Sequence, residues 1–279
     1  MNRRSFLKSG SLALGIGLSS GNQAFAEDNK NKSLQVWSCG GLAEAFIPAN
    51  QVFETKTGAS VSYTGAFAGA LGKSLLGGNA TTEVFAPRVL ELAKKLKAQG
   101  KMLSFEPLCF TRYVLATPKG NPAHIESIDD MGREGVRTVL IPDASPPGGQ
   151  ASMIILKKAG VEDLALKNAV KKGDCVQTAL TDLIEGKGDV AVVEQRITRL
   201  PQFAGKLDVR PIPEQFIPPV PVPFTIGVMT WAKNRDLARE FVTFILSDQG
   251  QAFFERAGFI PARSEEGERL IQKYGVLDA

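Results

Sequence analysis

Leu34-Gln-Val-Trp-Ser-Cys-Gly-Gly-Leu-Ala-Glu-Ala-Phe46 has the pattern of a strand, a glycine turn and a helix, and the predicted fold is built around it. Residues 34–37 have the pattern of a buried strand, and the apolar residues after them have the spacing of a helix packed on a sheet, at Leu42, Phe46, Ala49 and Phe53. Between strand and helix, Gly40 and Gly41 allow a sharp turn that leaves backbone N–H groups unpaired. Such a helix start carries partial positive charge and can hold a small ligand at the carboxyl end of the strand.

The same alternation of strand and helix continues along the chain. Strand and helix patterns alternate up to residue 98, which favours a parallel-rich sheet covered by helices on both faces. A second α/β series begins near residue 109, and a proline-dense connector at 211–223 returns the chain to the first series. We therefore predict an α/β fold of two Rossmann-like lobes, the first from residues 33–108 and 219–279 and the second from residues 109–218.

The first 26 residues have the pattern of an export signal. The basic stretch Arg3-Arg4-Ser-Phe-Leu-Lys8 precedes a short apolar run at 11–18, and Ala24-Phe-Ala26 is a small-x-small cleavage motif. The apolar run is far shorter than the ~20 residues that a membrane-spanning helix needs. We therefore expect a twin-arginine type signal peptide that is cleaved after Ala26, and a periplasmic mature protein.

Composition limits the classes of partner. The chain has 279 residues, of which 43% are hydrophobic and 22% charged, as in ordinary globular proteins. Its formal net charge is +4, but the expected signal peptide holds three of the 33 basic residues and no acidic one, so 30 basic residues remain against 29 acidic ones. This balance gives no support for nucleic acid as a partner.

Six groups of residues resemble the periplasmic molybdate-binding proteins in their order and spacing: Val36…Leu42, Val84-Phe-Ala86, Ala116-Thr-Pro-Lys-Gly-Asn-Pro122, Asp143…Pro147-Gly-Gly149, Val176…Gly188-Asp189 and Ala238…Gly258-Phe259. The resemblance covers nearly all of the mature chain. It implies a two-domain, type II solute-binding protein of an ABC importer, with two strands crossing the hinge and a ligand cleft between the lobes. It also implies an ABC permease in the membrane as partner, and we expect a monomer.

The ligand contacts of the resembling family are only partly matched here. One family serine falls near Gly41, a second falls in residues 66–68, and a family tyrosine is replaced by Glu194. Each lost hydroxyl removes ~1.5–3 kcal/mol of hydrogen bonding to a charged ligand, so the ion stays open. Backbone amides near two predicted helix starts remain, and the expected ligand-binding residues are Cys39, Gly40, Gly41, Ala66, Gly148, Cys175, Val176 and Glu194.

Three cysteines allow three interpretations. Cys39, Cys109 and Cys175 can form one disulfide with a spare thiol, or lie in the core as small apolar residues. In the resembling fold, however, their positions line the same cleft, together with Glu194. Three thiolates and a carboxylate would suit Zn²⁺, and three thiolates would suit Cu(I) or trivalent arsenic, so Cys39, Cys109, Cys175 and Glu194 are candidate ligands of a thiophilic metal ion.

Other polar residues carry weaker signals. Arg88 either reaches the cleft or forms a salt bridge at a helix start, and Arg196 can pair with Glu194. His124 is the single histidine, which leaves little scope for a Ser-His-Asp triad, and we therefore expect no enzymatic activity. Apart from the thiophilic metal ion considered above, the sequence indicates no cofactor. We predict a receptor for a small inorganic ion, either a molybdate- or tungstate-like oxyanion or a thiophilic ion. The alternative is an exported metal carrier or redox protein with a cysteine-ligated metal.

Overall fold

The structure is a computed structural model that describes residues 29–30, 32–143 and 148–278. The predicted signal peptide at 1–26 lies outside these residues. So do residues 144–147, which belong to the group Asp143…Pro147-Gly-Gly149 quoted above. None of the helices in the described ranges has the length and apolar character needed to span a membrane.

Eleven strands and ten α-helices make up the described part of the chain. The strands are β1 (Ser33–Cys39), β2 (Ser60–Ala66), β3 (Val84–Ala86), β4 (Met102–Phe110), β5 (Tyr113–Pro118), β6 (Thr138–Leu140), β7 (Ala169–Lys172), β8 (Ala191–Glu194), β9 (Leu207–Pro211), β10 (Pro223–Met229) and β11 (Ile260–Pro261). The helices are α1 (Ala43–Thr57), α2 (Ala68–Gly77), α3 (Leu90–Ala98), α4 (Gly148–Lys158), α5 (Glu162–Lys167), α6 (Val176–Ile184), α7 (Gln195–Thr198), α8 (Arg235–Leu246), α9 (Asp248–Arg256) and α10 (Glu265–Tyr274).

These elements form the two lobes that the sequence predicts. The first lobe contains a six-stranded sheet with the order β11-β4-β10-β3-β1-β2. The second lobe contains the three-stranded sheet β8-β5-β9 and the pair β6-β7, which a bridge between Thr138 and Val190 connects to β8. Two links join the lobes, one at 111–112 and one at 212–222.

Strand direction is more mixed than the predicted parallel-rich arrangement. β1 is parallel to β2 and β3, but β10 is antiparallel to β3 and β4, and β5 is antiparallel to both of its neighbours. The reason is the path between the lobes. β4 leads the chain out of the first lobe and β10 leads it back, so the two strands run in opposite directions where they pair.

The core of the first lobe forms on the helix face that the sequence pattern predicts. All four of the predicted apolar residues are at most 1% exposed, namely Leu42, Phe46, Ala49 and Phe53. Aromatic rings from the C-terminal helices meet this face edge-on, with Phe254 5.3 Å from Phe46 and Phe241 5.1 Å from Phe53 between ring centroids. Gly58 ends α1 in the left-handed conformation, at φ 73°, as expected for a glycine C-cap. This packing anchors the turn between β1 and α1.

Candidate functional site

A cleft of about 280 Å³ lies between the two lobes. Its first-lobe wall is the turn between β1 and α1, where Gly40, Gly41 and Glu44 line it. The second-lobe wall is built from the starts of α4 and α6, the end of β8 and the residues after it. Its polar and small residues are Gly148, Asp174, Cys175, Val176, Glu194 and Arg196. The carboxyl ends of strands from both lobes therefore face one pocket, which is where ligands bind in open α/β sheets.

The glycine pair on the first-lobe wall makes room for an arginine from the second lobe. β1 ends at Cys39, and a single 3₁₀ turn over Gly40–Leu42 leads into α1. A Cβ placed on Gly41 would lie 2.9 Å from both Cζ and Nη2 of Arg196. The missing side chain thus lets the guanidinium rest directly on the turn.

Two helices of the second lobe begin at the cleft. α4 begins at Gly148 and α6 begins at Val176, so their first backbone N–H groups have no partner within their own helices. A Cβ on Gly148 would lie 3.1 Å from Oε1 of Glu194, which places that carboxylate at the start of α4. A negative charge is favourable in this position because of the helix dipole.

A buried cluster of three charges, Arg88, Glu194 and Arg196, lies at the base of the cleft, and we call it the arginine–glutamate cluster. Glu194 Oε1 accepts a hydrogen bond from Nη2 of Arg88, and Oε2 accepts one from Nε of Arg196 at 2.7 Å. The three side chains are only 5%, 8% and 13% exposed, respectively. Burial alone would raise the pKa of Glu194, but the two guanidinium groups outweigh it and lower that pKa to about 2. Glu194 is therefore ionised throughout the physiological range.

Arg88 comes from the first lobe and is held on several sides. Its Nε donates to the carbonyl of Pro221 at 3.2 Å, and its Nη2 lies 3.4 Å from Oη of Tyr113. Its guanidinium carbon lies 5.4 Å from the centroid of the Phe224 ring. Arg88 thus joins the first lobe to Glu194 of the second. The predicted salt bridge at Arg88 and the predicted pairing of Glu194 with Arg196 are both present.

Arg196 is held less completely than Arg88. Only its Nε donates to Glu194, and Nη1 lies 3.9 Å from Oε1 of Glu44 on the opposite wall. In the part of the chain that the structure describes, neither Nη group of Arg196 donates a hydrogen bond to a protein acceptor. Since Arg196 also lines the cleft, its remaining N–H groups are available to a ligand.

The three cysteines lie in different environments. All three thiols are free; Cys39 and Cys109 are buried in the first-lobe core, whereas Cys175 is exposed on the cleft wall. Across the described ranges, no group of three or more His, Cys, Asp or Glu side chains could hold a metal ion. The structure therefore does not bring together the four predicted ligands Cys39, Cys109, Cys175 and Glu194. The physical reason is that Glu194 is already neutralised by two arginines while two of the thiols are packed among apolar side chains.

The pKa values of Cys109 and Cys175 are shifted in opposite directions by their surroundings. Burial raises the pKa of Cys109 well above its usual value, and the nearby Cys39 adds to the effect. Cys175 precedes α6, where the Thr178 side chain and then the backbone N–H groups of Thr178 and Gln177 lower its pKa. Cys175 is thus the reactive thiol of the described residues.

Six of the eight predicted ligand-binding residues line the cleft, and two do not. Gly40, Gly41, Gly148, Cys175, Val176 and Glu194 line it. Cys39 is only 9% exposed, and Ala66 pairs with it in the sheet and packs on Gly40, so both lie behind the glycine turn. Sequence reasoning missed Glu44 and Asp174. Their proximity to the two predicted helix starts was the signal that could have found them.

Comparison with known proteins places the chain among transport receptors. The family model described as bacterial extracellular solute-binding protein matches residues 34–260. The molybdate-binding protein ModA of Mycobacterium tuberculosis is 25% identical over 241 residues, which cover 82% of this chain and 84% of that protein.

Two solved structures share the fold at lower sequence identity. A substrate-binding domain assigned to a molybdenum ABC transporter of Clostridium difficile superimposes with a TM-score of 0.72 at 20% identity, covering 83% of this chain and 99% of that one. The periplasmic molybdate-binding protein of Azotobacter vinelandii gives a TM-score of 0.63 at 19% identity, covering 81% and 98%. These similarities confirm the predicted two-lobe α/β fold.

Proposed function

This chain belongs to the family of bacterial extracellular solute-binding proteins that serve ABC transporters, and we propose that it captures a small oxyanion of the molybdate or tungstate kind in the interlobe cleft. The single observation that carries this proposal is the meeting of two helix starts and a partly unpaired arginine in one pocket. Its sequence relatives are named as molybdate-binding proteins, which supports the same class of ligand.

Charge is unevenly distributed in the pocket: Glu44 and Asp174 lie on its walls, whereas its inner part holds the arginine–glutamate cluster. The arginine–glutamate cluster has two positive charges and one negative charge, so it keeps a net charge of +1. The starts of α4 and α6 add partial positive charge from backbone N–H groups. Hydrogen bonds from Arg196 to a charged ligand would each contribute ~1.5–3 kcal/mol, which offsets the hydroxyl donors that the molybdate-binding pattern has and this chain lacks.

Binding would also bring the lobes together. The two lobes are joined by links at 111–112 and 212–222, and residues of both lobes line the pocket. A ligand that contacts both walls binds the closed arrangement better than the open one, and it shifts the population by that difference in affinity. A closed receptor presents a distinct surface to its permease, which completes the transport role.

Export and partners follow from the same proposal. The predicted twin-arginine type signal would carry the protein to the periplasm, where it would act as a monomer that delivers its ion to an ABC permease. The relatives named above are binding proteins, and we propose no enzymatic role for this chain.

Thermal unfolding with a panel of ions tests the proposal. Molybdate, tungstate, sulfate and phosphate are compared with Zn²⁺ and arsenite, with and without reductant. An oxyanion present at 100 times its Kd should stabilise the fold by about 2.7 kcal/mol. A Gly41→Asp control should lose this stabilisation, because the new side chain displaces Arg196 and a unit charge at 4 Å repels an anion by ~4 kcal/mol at an effective dielectric of 20.

Each outcome decides between the functions considered. Stabilisation by an oxyanion in the parent, lost in Gly41→Asp, supports the proposal. Stabilisation by Zn²⁺ or arsenite alone would refute it in favour of a metal carrier. Equal stabilisation of parent and variant by an oxyanion would place the binding site elsewhere.

A further inference from the structure

The Glu194 carboxylate occupies the position in which an anionic ligand would be bound best. It lies at the start of α4, beside Gly148, and accepts hydrogen bonds from Arg88 and Arg196. Each of these partners is a group that an oxyanion would use. The protein therefore carries its own carboxylate between two arginines and a helix start.

We propose that Glu194 is the specificity-determining residue of the cleft, a resident carboxylate that competes with the incoming anion for Arg196 and sets which ligand charge is accepted. This inference rests on the proposed function, because it assumes that the ligand is an anion. It predicts that removing the negative charge of Glu194 makes the binding of an anion tighter.

The two arginines differ in their freedom to leave Glu194. Arg88 is fixed by the Pro221 carbonyl, the Tyr113 hydroxyl and the Phe224 ring, and it does not line the cleft. Arg196 lines the cleft and has Glu194 as its one hydrogen-bonded protein partner within the described residues. Competition with a ligand therefore concerns Arg196, while Arg88 keeps the carboxylate in place.

Charge selectivity follows from the same geometry. Coulomb repulsion from the Glu194 carboxylate is proportional to the charge on the ligand, so a dianion is penalised twice as strongly as a monoanion at the same distance. Tungstate and perrhenate are tetrahedral oxyanions of similar size that carry two charges and one charge, respectively. This pair separates the effect of ligand charge from that of ligand shape.

Titration calorimetry of three variants with tungstate and perrhenate tests the inference. Glu194→Gln keeps the hydrogen-bond acceptor for the arginines but removes the charge. The double variant Arg88→Met/Glu194→Gln removes both members of a buried ion pair, so the arginine–glutamate cluster keeps a net charge of +1. It also leaves no unpaired charge on Arg88 that would destabilise the fold. Glu91→Gln is the matched control, because it removes the same charge from an exposed position on α3 that does not line the cleft.

Tungstate should bind at least ~10-fold more tightly to Glu194→Gln than to the parent, with a gain of only ~3-fold for perrhenate. The double variant, whose cluster charge is unchanged, should bind both anions more tightly by a similar factor because Arg196 is released, and Glu91→Gln should change either affinity by less than ~3-fold. Unchanged or weaker tungstate binding in both Glu194 variants, with circular dichroism showing that they are folded, would overturn the inference. Equal gains for the two anions in Glu194→Gln would also overturn it. If neither anion binds the parent or any variant, the proposed oxyanion function itself has failed.

Discussion

At the scale of single residues, a carboxylate stays charged at a site that excludes most water. Glu194 is 7% exposed, and its charge persists because Arg88 and Arg196 bind its two oxygens from opposite lobes. Taking a carboxylate out of water is costly, and removing one member of such a pair leaves an uncompensated buried charge. Glu194 therefore couples the ligand site to the stability of the whole fold.

The first prediction concerns acid unfolding. The pKa of Glu194 falls from an ordinary 4.5 to about 2 in the folded protein, so its ionisation contributes about 3 kcal/mol to the free energy of unfolding. Because the folded pKa is the lower one, this contribution is complete above pH 4.5 and is lost as the pH falls towards 2. In urea unfolding, the difference between the parent and Glu194→Gln should shrink as the pH is lowered from 7 to 2.5. A difference that stays constant over this range would contradict the assignment.

The second prediction concerns thiol reactivity. Cys175 is exposed with a lowered pKa, whereas Cys39 and Cys109 are buried. Iodoacetamide at pH 7.5 should therefore alkylate Cys175 alone in the folded protein, and all three thiols in urea, as read by peptide mass spectrometry. A Thr178→Ala variant should need a higher pH for the same rate, since the largest cause of the lowered pKa is removed. Rapid labelling of Cys109 without urea would show that the first-lobe core is more open than described.

At the scale of elements, the first lobe depends on the pairing of β4 with β10. Seven residue pairs join the two strands, although β4 contains Glu106 and Pro107 within its pairing region. A charged residue and a proline interrupt the apolar pattern of a strand, which is why no strand was predicted there. Gly227 on β10 lies against β4 so closely that a Cβ would be 2.4 Å from the carbonyl oxygen of Ser104.

The third prediction follows from that contact. Gly227→Ala should lower the free energy of unfolding by about 1–3 kcal/mol, because backbone atoms must move to accept one methyl group. Gly173→Ala is the control, since nothing lies within 4 Å of a Cβ at that position. Denaturant unfolding of both variants measures the effect. Equal stabilities would mean that β4 and β10 are more loosely paired than the structure has them.

At the scale of the whole molecule, contacts across the cleft link the lobes beyond the two chain connections. Arg199, after α7, donates to the carbonyl of Glu255 in α9 at 2.8 Å, and the Arg196 backbone approaches Gly258. Together with the bond from Arg88 to Glu194, these contacts join residues of the two lobes. Relative movement of the lobes must change them, so ligand affinity and lobe arrangement are coupled.

The fourth prediction is therefore a change of overall size on binding. Saturation with the oxyanion that the thermal panel identifies should reduce the radius of gyration measured by small-angle X-ray scattering. Gly41→Asp should show no such change at the same ion concentration, because its pocket no longer accepts the anion. A parent that binds the ion in calorimetry without any change in size would refute closure as the mode of capture.

Sequence pattern was sufficient to predict the two-lobe α/β class, the buried face of α1 and the glycine turn at the cleft. These features depend on local pattern, since apolar periodicity and glycine positions act over one or two turns of chain. Which charged and sulfur-bearing side chains meet could not be predicted in this way, because it depends on long-range packing. Arg88 and Glu194 are 106 residues apart in the chain, and whether they pair depends on how two lobes pack. The same packing buries Cys39 and Cys109 and leaves Cys175 exposed on the cleft wall, because long-range contacts, rather than local spacing, determine each side chain's neighbours.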